Sequence, residues 1–436
     1  LLDCLGMMIA GRTAERVHRA RGVDGPLDHG VILSLACGAL GLDDFDEATR
    51  AHPGSVIVPA LLVAAAAEER PVPGKRFVNA VWLGYEIMAW LGSALDAGSM
   101  HLRGRHPSAV LGVPAAACAS AWLLGLGEAG VAAALGIGAG FAFGLSQFDA
   151  ADDVRALQTA HATSSGLRAA FFAKSGFHAS HQALEGPGGF FGAHGSQRTS
   201  PLEAIGAAPS ALERTSFKPY PHFTDLHPAV TALSAALTAS SIGPDAIEQI
   251  RLLLPHKVVS RLHSGVPESL KQAKRSAGFV LALATRSLLR AGPDLRAPLQ
   301  RSQLFDREIL SLAERVVVVS VPDRDGRDVP ESAVEVVLEG GGVLSGTATG
   351  YPGDGRVPGT RWNLADVRAR FDVVVPSSDH RLAEMATGLV ERAGTEGDVR
   401  DNIALLIDAI TMPASRAEDD RIQETDRERC RLRSMT

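Results

Sequence analysis

The 436-residue sequence predicts a mainly α-helical protein that carries a smaller α+β domain, and three observations lead there. Residues 1 to 215 are dominated by apolar runs rich in Ala and Gly. Strand-like, β-branched runs are confined to the stretch between Ile247 and Thr349, and helical text resumes at Trp362. Helical, then mixed, then helical again is the pattern of a domain inserted into a helical bundle. The expected layout is a large discontinuous all-helical domain, 1–215 and 362–436, with a smaller α+β lid domain at 216–361. A chain of this length exceeds one ordinary core, and the junction of two cores is a natural place for a cleft.

Taken in order, VPALLVAAAAEE (58–69), NAVWLGYEIMAWLGSAL (79–95) and PAAACASAWLLGLG (114–127) read as helices whose small residues permit close packing. Gly and Pro punctuate them at Pro71–Gly74, Gly104–Pro107 and Gly186–Gly189. The Gly136-Ile137-Gly138-Ala139-Gly140 run has no strand before it, so packing glycines, not a dinucleotide loop, are expected. Strands are expected at Ile247–Leu254, Arg315–Val321, Ala333–Glu339 and Val343–Thr349, the last two joined as a hairpin by Gly340-Gly341-Gly342. Between them Ser269–Leu289 reads as one amphipathic helix. Asn363 is the expected N-cap of LADVRARF, and Val399–Ile410 and a charged, solvated tail follow.

Hydrophobic residues make up 46% and charged residues 21%, the balance of a soluble globular protein. The formal net charge is -6 and no Lys/Arg run forms a stripe, so a nucleic-acid partner is not expected. Two uncharged stretches, 108–127 and 129–148, are mostly Ala and Gly, which enter lipid poorly. Packed helices are expected there, with no membrane span. The cysteines at 4, 37, 118 and 430 have no C-x-x-C spacing and no nearby His array, which argues against a metal site. Buried, reduced thiols in a cytoplasmic protein are the expectation. The chain opens in mid-helix (LLDCLGMMIAG) without Met, so a preceding segment is expected.

Five polar clusters interrupt the apolar text. The first is Asp43-Asp44-Phe45-Asp46-Glu47, followed by His52-Pro53-Gly54 ahead of an apolar helix. An acidic flank on that helix N-terminus is the bland reading. The second is Arg103-Gly104-Arg105-His106-Pro107, where cations at a helix entry suit a carboxylate. The third runs from Arg155 to His161. The fourth is Lys218-Pro219-Tyr220-Pro221-His222, with His227-Pro228 beyond, where three prolines in the segment stiffen the display of polar side chains. The fifth, Lys271 to Ser276 with Lys274 and Arg275, reads at helical spacing as a polar face.

In this order the segments resemble the MmgE/PrpD family, which includes 2-methylcitrate dehydratase, cis-aconitate decarboxylase and iminodisuccinate epimerase. The resemblance is carried by LLDCLGMMIAG, LDDFDEATRAHPGSVIVPALLVAAAAEE, GYEIMAWLG, RHPSAVLGVPAAACASAWLLGL, ALEGPGGFF and FKPYPHFTDLHPAV, and it runs nearly end to end. It implies a helical domain with an α+β lid, a homodimer, and chemistry on di- or tricarboxylates without metal or cofactor. Carried over residue by residue, the site positions are Asp43 or Asp44, His52, His106, Arg155 and Lys218, with His222 alongside. Arg155 stands where the family has a lysine, and a permanent cation cannot shuttle a proton. Where the decarboxylases place a tyrosine this chain reads Pro255-His256-Lys257-Val258-Val259.

Breaking a bond beside a carboxylate needs a base with a pKa near the working pH and cations where charge develops. His106 or His52 is expected as base or acid, with Asp43 or Asp44 to orient it and Lys218 to assist. Arg155, Arg103, Arg105, His222 and Lys274 are expected to bind substrate. The function expected is a cofactor-independent lyase of dehydratase type acting on a small polycarboxylate. The alternatives are an epimerase or racemase of an iminodisuccinate-like dicarboxylate, or a non-catalytic family member.

Overall fold

The computed structural model describes residues 1–23, 28–96, 100, 103–147, 153–195, 205–206, 209–238, 240, 242–289, 294–323, 331–357 and 359–412. The charged tail and Cys430 lie outside them. The fold is mainly helical with a four-stranded mixed sheet in the α+β part, and the packing divides the chain into two compact units.

The first unit takes Leu1–Phe148, Asp153–Leu212 and Val375–Thr436. Its helices are α1 (Leu2–Gly11), α2 (Glu15–Arg21), α3 (His29–Gly38), α4 (Gly54–Ala66), α5 (Gly74–Ala94), α6 (Pro107–Leu123), α7 (Gly127–Phe141) and α8 (Val154–Lys174). Helix α6 is the centre, buried along its length except at Trp122. Its small residues explain how neighbours reach it. A methyl group on Gly112 would stand 2.9 Å from Val56 of α4, and one on Gly166 of α8 would stand 2.6 Å from Ala116. Gly136 to Gly140 lie inside α7, where Gly138 faces Ala117 and Pro114 of α6 and Gly136 faces Ala179; these two are packing glycines as expected, whereas Gly140 borders open space. No helix among the described residues is long and apolar enough to cross a membrane.

The second unit spans Glu213–Val374. It contains α9 (His227–Leu237), β1 (Ile247–Pro255), α10 (Ala277–Leu289), α11 (Arg307–Glu314), β2 (Val316–Val321), β3 (Glu331–Leu338), β4 (Val343–Thr349) and α12 (Leu364–Val374). Strand order is β2-β1-β3-β4, with β1 parallel to β2 and antiparallel to β3. The β3–β4 hairpin pairs Val337 with Val343, and its turn uses Gly340 and Gly341 at φ 96° and 90°. Such φ values favour glycine. Alternation turns Ile250, Leu252 and Leu254 of β1 and Val334 and Val336 of β3 inward, where α9 and α10 cover them. Contact with α9 is tight enough that a methyl group on Gly346 of β4 would meet the Ala232 carbonyl oxygen at 2.0 Å.

One element differs from expectation. Ser269–Leu289 is not continuous: a single turn, Leu270–Ala273, is capped by Ser269, and α10 starts anew at Ala277. The Lys274 and Arg275 carbonyls accept from the Phe223 and His263 N–H groups at 2.8 and 2.9 Å, and Ser276 Oγ accepts from Phe279 N–H. Tertiary partners thus take carbonyls that a through-going helix would use. Asn363 caps α12 as expected, accepting from the Ala365 and Asp366 N–H groups. In the first unit the chain closes with α13 (His380–Ala393) and α14 (Arg400–Thr411). Cys4, Cys37 and Cys118 are buried free thiols.

Candidate active site

The site residues read from the sequence fall into two sets, one in each unit. In the first unit the acidic loop folds back before α4 as a small closed structure. Asp46 N–H donates to Ala51 O at 2.9 Å, Thr49 Oγ1 donates to Asp46 Oδ2 at 2.8 Å, and Arg50 takes φ 60°. Asp46 and Glu47, the latter paired with Arg50, hold the loop in shape. Asp43 and Asp44 are turned inward and buried.

Their roles diverge. Asp44 Oδ1 accepts the Gly54 N–H at 2.9 Å, so it does cap α4, and its Oδ2 accepts the Tyr85 hydroxyl of α5 at 2.5 Å. Burial, with Asp3 and Asp43 close by, raises the Asp44 pKa to about 7 although Tyr85 and Gly54 pull it down. Asp43 Oδ2 instead accepts the Ser55 hydroxyl and meets His52 Nδ1, each at 2.9 Å. The carboxylate facing the imidazole is therefore that of Asp43. Asp44 reaches the ring through its backbone, its carbonyl oxygen lying 3.0 Å from Nδ1.

The other ring nitrogen, His52 Nε2, lies 2.8 Å from Arg155 Nη2 at the start of α8. A guanidinium only donates, so Nε2 is the acceptor and the proton sits on Nδ1. The result is a directed chain in which Arg155 donates to His52 and His52 donates to Asp43. Both nitrogens are engaged, so His52 is a bridge between a carboxylate and a cation that stays exposed. The His52 N–H donates to Ser108 Oγ at 3.0 Å, which ties the loop to the first turn of α6.

His106 is the buried N-cap of that helix, with Pro107 at its first position. Its N–H donates to Gly144 O at 3.1 Å, and Gly144 is close enough that a methyl group there would touch Ala109. Arg103 donates to Leu95 O at 2.7 Å. Burial, then the charges of Arg105 and Arg103, lowers the pKa of His194 to about 4.

In the second unit Lys218, His222 and His227 are all buried. Burial, then the charge of Lys274, lowers the His222 pKa to about 3. His227 is lowered well below its ordinary range by burial, with His222, Lys218 and Arg370 adding to it. It lies edge-on to Tyr351 at 4.8 Å, with Nε2 3.2 Å from the His222 carbonyl oxygen. Two buried neutral histidines thus sit among lysine and arginine charges, a place that favours an anion over a further proton. Trp362, whose ring stacks on Phe217 with centroids 5.7 Å apart and carries the Arg370 guanidinium 5.4 Å from its centroid, belongs to the same unit.

Sequence reasoning missed Tyr85, Ser55, Ser108, His194 and Tyr351. Tyr85 stands in the apolar run GYEIMAW and reads as core, and nothing local signals that Asp44 lies beside it. Among the described residues no group of three or more His, Cys, Asp or Glu is arranged to hold a metal ion.

Residues 25–203 match the MmgE/PrpD N-terminal domain. Among curated relatives, the chain is 34% identical over 158 residues to the cis-aconitate decarboxylase-like protein oryM of Aspergillus oryzae, covering 35% of this chain and 33% of the relative. It is 30% identical over 164 residues to a cis-aconitate decarboxylase of Aspergillus terreus, covering 37% and 34%. The aligned stretch is thus about a third of the length of these relatives.

Proposed function

We propose that this chain is a cofactor-independent lyase that breaks a bond beside a carboxylate of a small di- or tricarboxylate, of dehydratase type. The observation that carries the reading is the Asp43–His52–Arg155 chain, which aims a cation from a buried carboxylate and leaves it exposed. A guanidinium held in this way suits a substrate carboxylate, which it binds through paired N–H donors. With both nitrogens of His52 engaged, His106 is assigned the proton transfer, and Lys218 and His222 are assigned to carboxylate binding and charge stabilisation. Arg103, Arg105 and Lys274 add positive charge to the two sets. A homodimer in the cytoplasm, with no metal or cofactor, completes the reading.

Decarboxylation is the second reading, favoured by the names of the two Aspergillus relatives. Incubation with citrate-type and iminodisuccinate-type acids in deuterium oxide, followed by NMR, separates the outcomes. Alkene formation with loss of water supports the dehydratase, release of carbon dioxide the decarboxylase, and deuterium uptake with scrambled stereochemistry an epimerase. Absence of exchange, elimination and carbon dioxide with every acid tested rejects the enzyme reading. His106→Ala and Lys218→Ala should each lower turnover at least about tenfold with an unchanged circular dichroism spectrum. Parent rates in both variants would reject these assignments.

A further inference from the structure

We propose that Tyr85 is a positioning residue of this site, acting through Asp44 on the ring of His52. Tyr85 is buried on α5, and its hydroxyl donates to Asp44 Oδ2 while the Gly54 N–H donates to Oδ1. Both carboxylate oxygens are therefore fixed by separate elements, α5 and α4. The same residue presents its carbonyl oxygen to His52 Nδ1, beside the Asp43 carboxylate. Holding the Asp44 side chain thus holds the carbonyl, the ring plane and, through Nε2, the Arg155 guanidinium.

Packing leaves no slack for Asp44 to turn elsewhere. A methyl group on Gly54 would stand 2.5 Å from Cys4 Sγ, 2.7 Å from Asp44 Oδ1 and 2.8 Å from Tyr85 Oη. The titratable groups around the carboxyl are Asp3 and Cys4 from α1, Cys37 from α3, Tyr85 from α5, and Asp43 and His52 from the loop. Two of these are further carboxylates, which oppose charge on Asp44. Tyr85 supplies the side-chain O–H that favours it. Removing that hydroxyl moves the Asp44 titration to higher pH and leaves Oδ2 without the contact that fixes it.

The test is Tyr85→Phe in the full chain, which deletes one oxygen. Histidine ring resonances are followed by NMR against pH, with His52 assigned by its loss in His52→Gln. The His52 signals should inflect near neutrality as Asp44 titrates. The inflection should move to higher pH in Tyr85→Phe and vanish in Asp44→Asn. A folded Tyr85→Phe protein with an unmoved inflection overturns the proposal. Should Tyr85→Phe not fold, Asp44→Asn alone decides: an inflection that persists there overturns it equally. The kinetic arm rests on the lyase reading. Turnover should fall about tenfold in Tyr85→Phe with KM nearly unchanged and the acid limb of the kcat profile displaced upward. Complete inactivity of the parent protein would sink the lyase reading while leaving the NMR result to decide the role of Tyr85.

Discussion

Arg155→Gln should lower kcat/KM for a di- or tricarboxylate about 100-fold while the thermal midpoint moves little. The residue is exposed and its charge is not needed to fill a core, so the loss falls on binding. Charge-assisted hydrogen bonds contribute about 1.5–3 kcal/mol each, which sets the magnitude. Glutamine can still donate one N–H to His52 Nε2 and so preserves the bridge, but it offers a carboxylate neither charge nor a planar fork. Arg155→Lys should lose only about tenfold, because an ammonium keeps the charge and one contact at a time. Steady-state kinetics on both variants checks the order. Equal rates for Arg155→Gln and parent would remove Arg155 from the binding role.

The second large effect is acid lability of the second unit. His222 has its folded pKa at about 3, and His227 is lowered in the same direction, both chiefly by burial. Their unfolded values lie near 6.5. Below that pH the unfolded chain binds protons that the folded unit refuses, so stability is full above about pH 6.5 and lost as pH falls toward the folded values. Each histidine costs about 1.4 kcal/mol per pH unit within that window. His222 alone gives about 2 kcal/mol between about pH 6.5 and 5, and His227 adds in the same direction. Asp44 in the first unit works with the opposite sign. Its raised pKa of about 7 contributes stability at low pH that is lost as pH rises toward neutrality. Thermal unfolding followed between about pH 7.5 and 5 should show a steeper loss of stability toward acid in the parent than in His222→Asn or His227→Asn. An identical pH slope in parent and variants would contradict the burial argument.

How much of this was legible in the sequence depends on whether a residue's partner is local. Strand β4 falls where alternation and the glycine turn put it, and Asn363 caps α12, because those signals are short-range. The break at Lys274 to Ser276 was not legible, since the carbonyl partners Phe223 and His263 lie far off or outside the helical pattern. The same divide runs through the site. Asp43, Asp44 and His52 stand out as polar residues in apolar text, but which carboxylate faces the ring depends on Tyr85, 41 residues beyond Asp44. Arg155 was read as a substrate ligand alone, and its contact with His52 across 103 residues was invisible. Long-range pairing, not residue type, was the missing information.

Calorimetric titration of tricarballylate, an unreactive tricarboxylate, into the full chain tests the central claim most directly, because it needs no turnover. Binding is predicted for the parent protein, weakened at least about tenfold by Arg155→Gln. No binding to the parent, or equal binding to parent and variant, would contradict the assignment of Asp43, His52 and Arg155 as a carboxylate-binding chain.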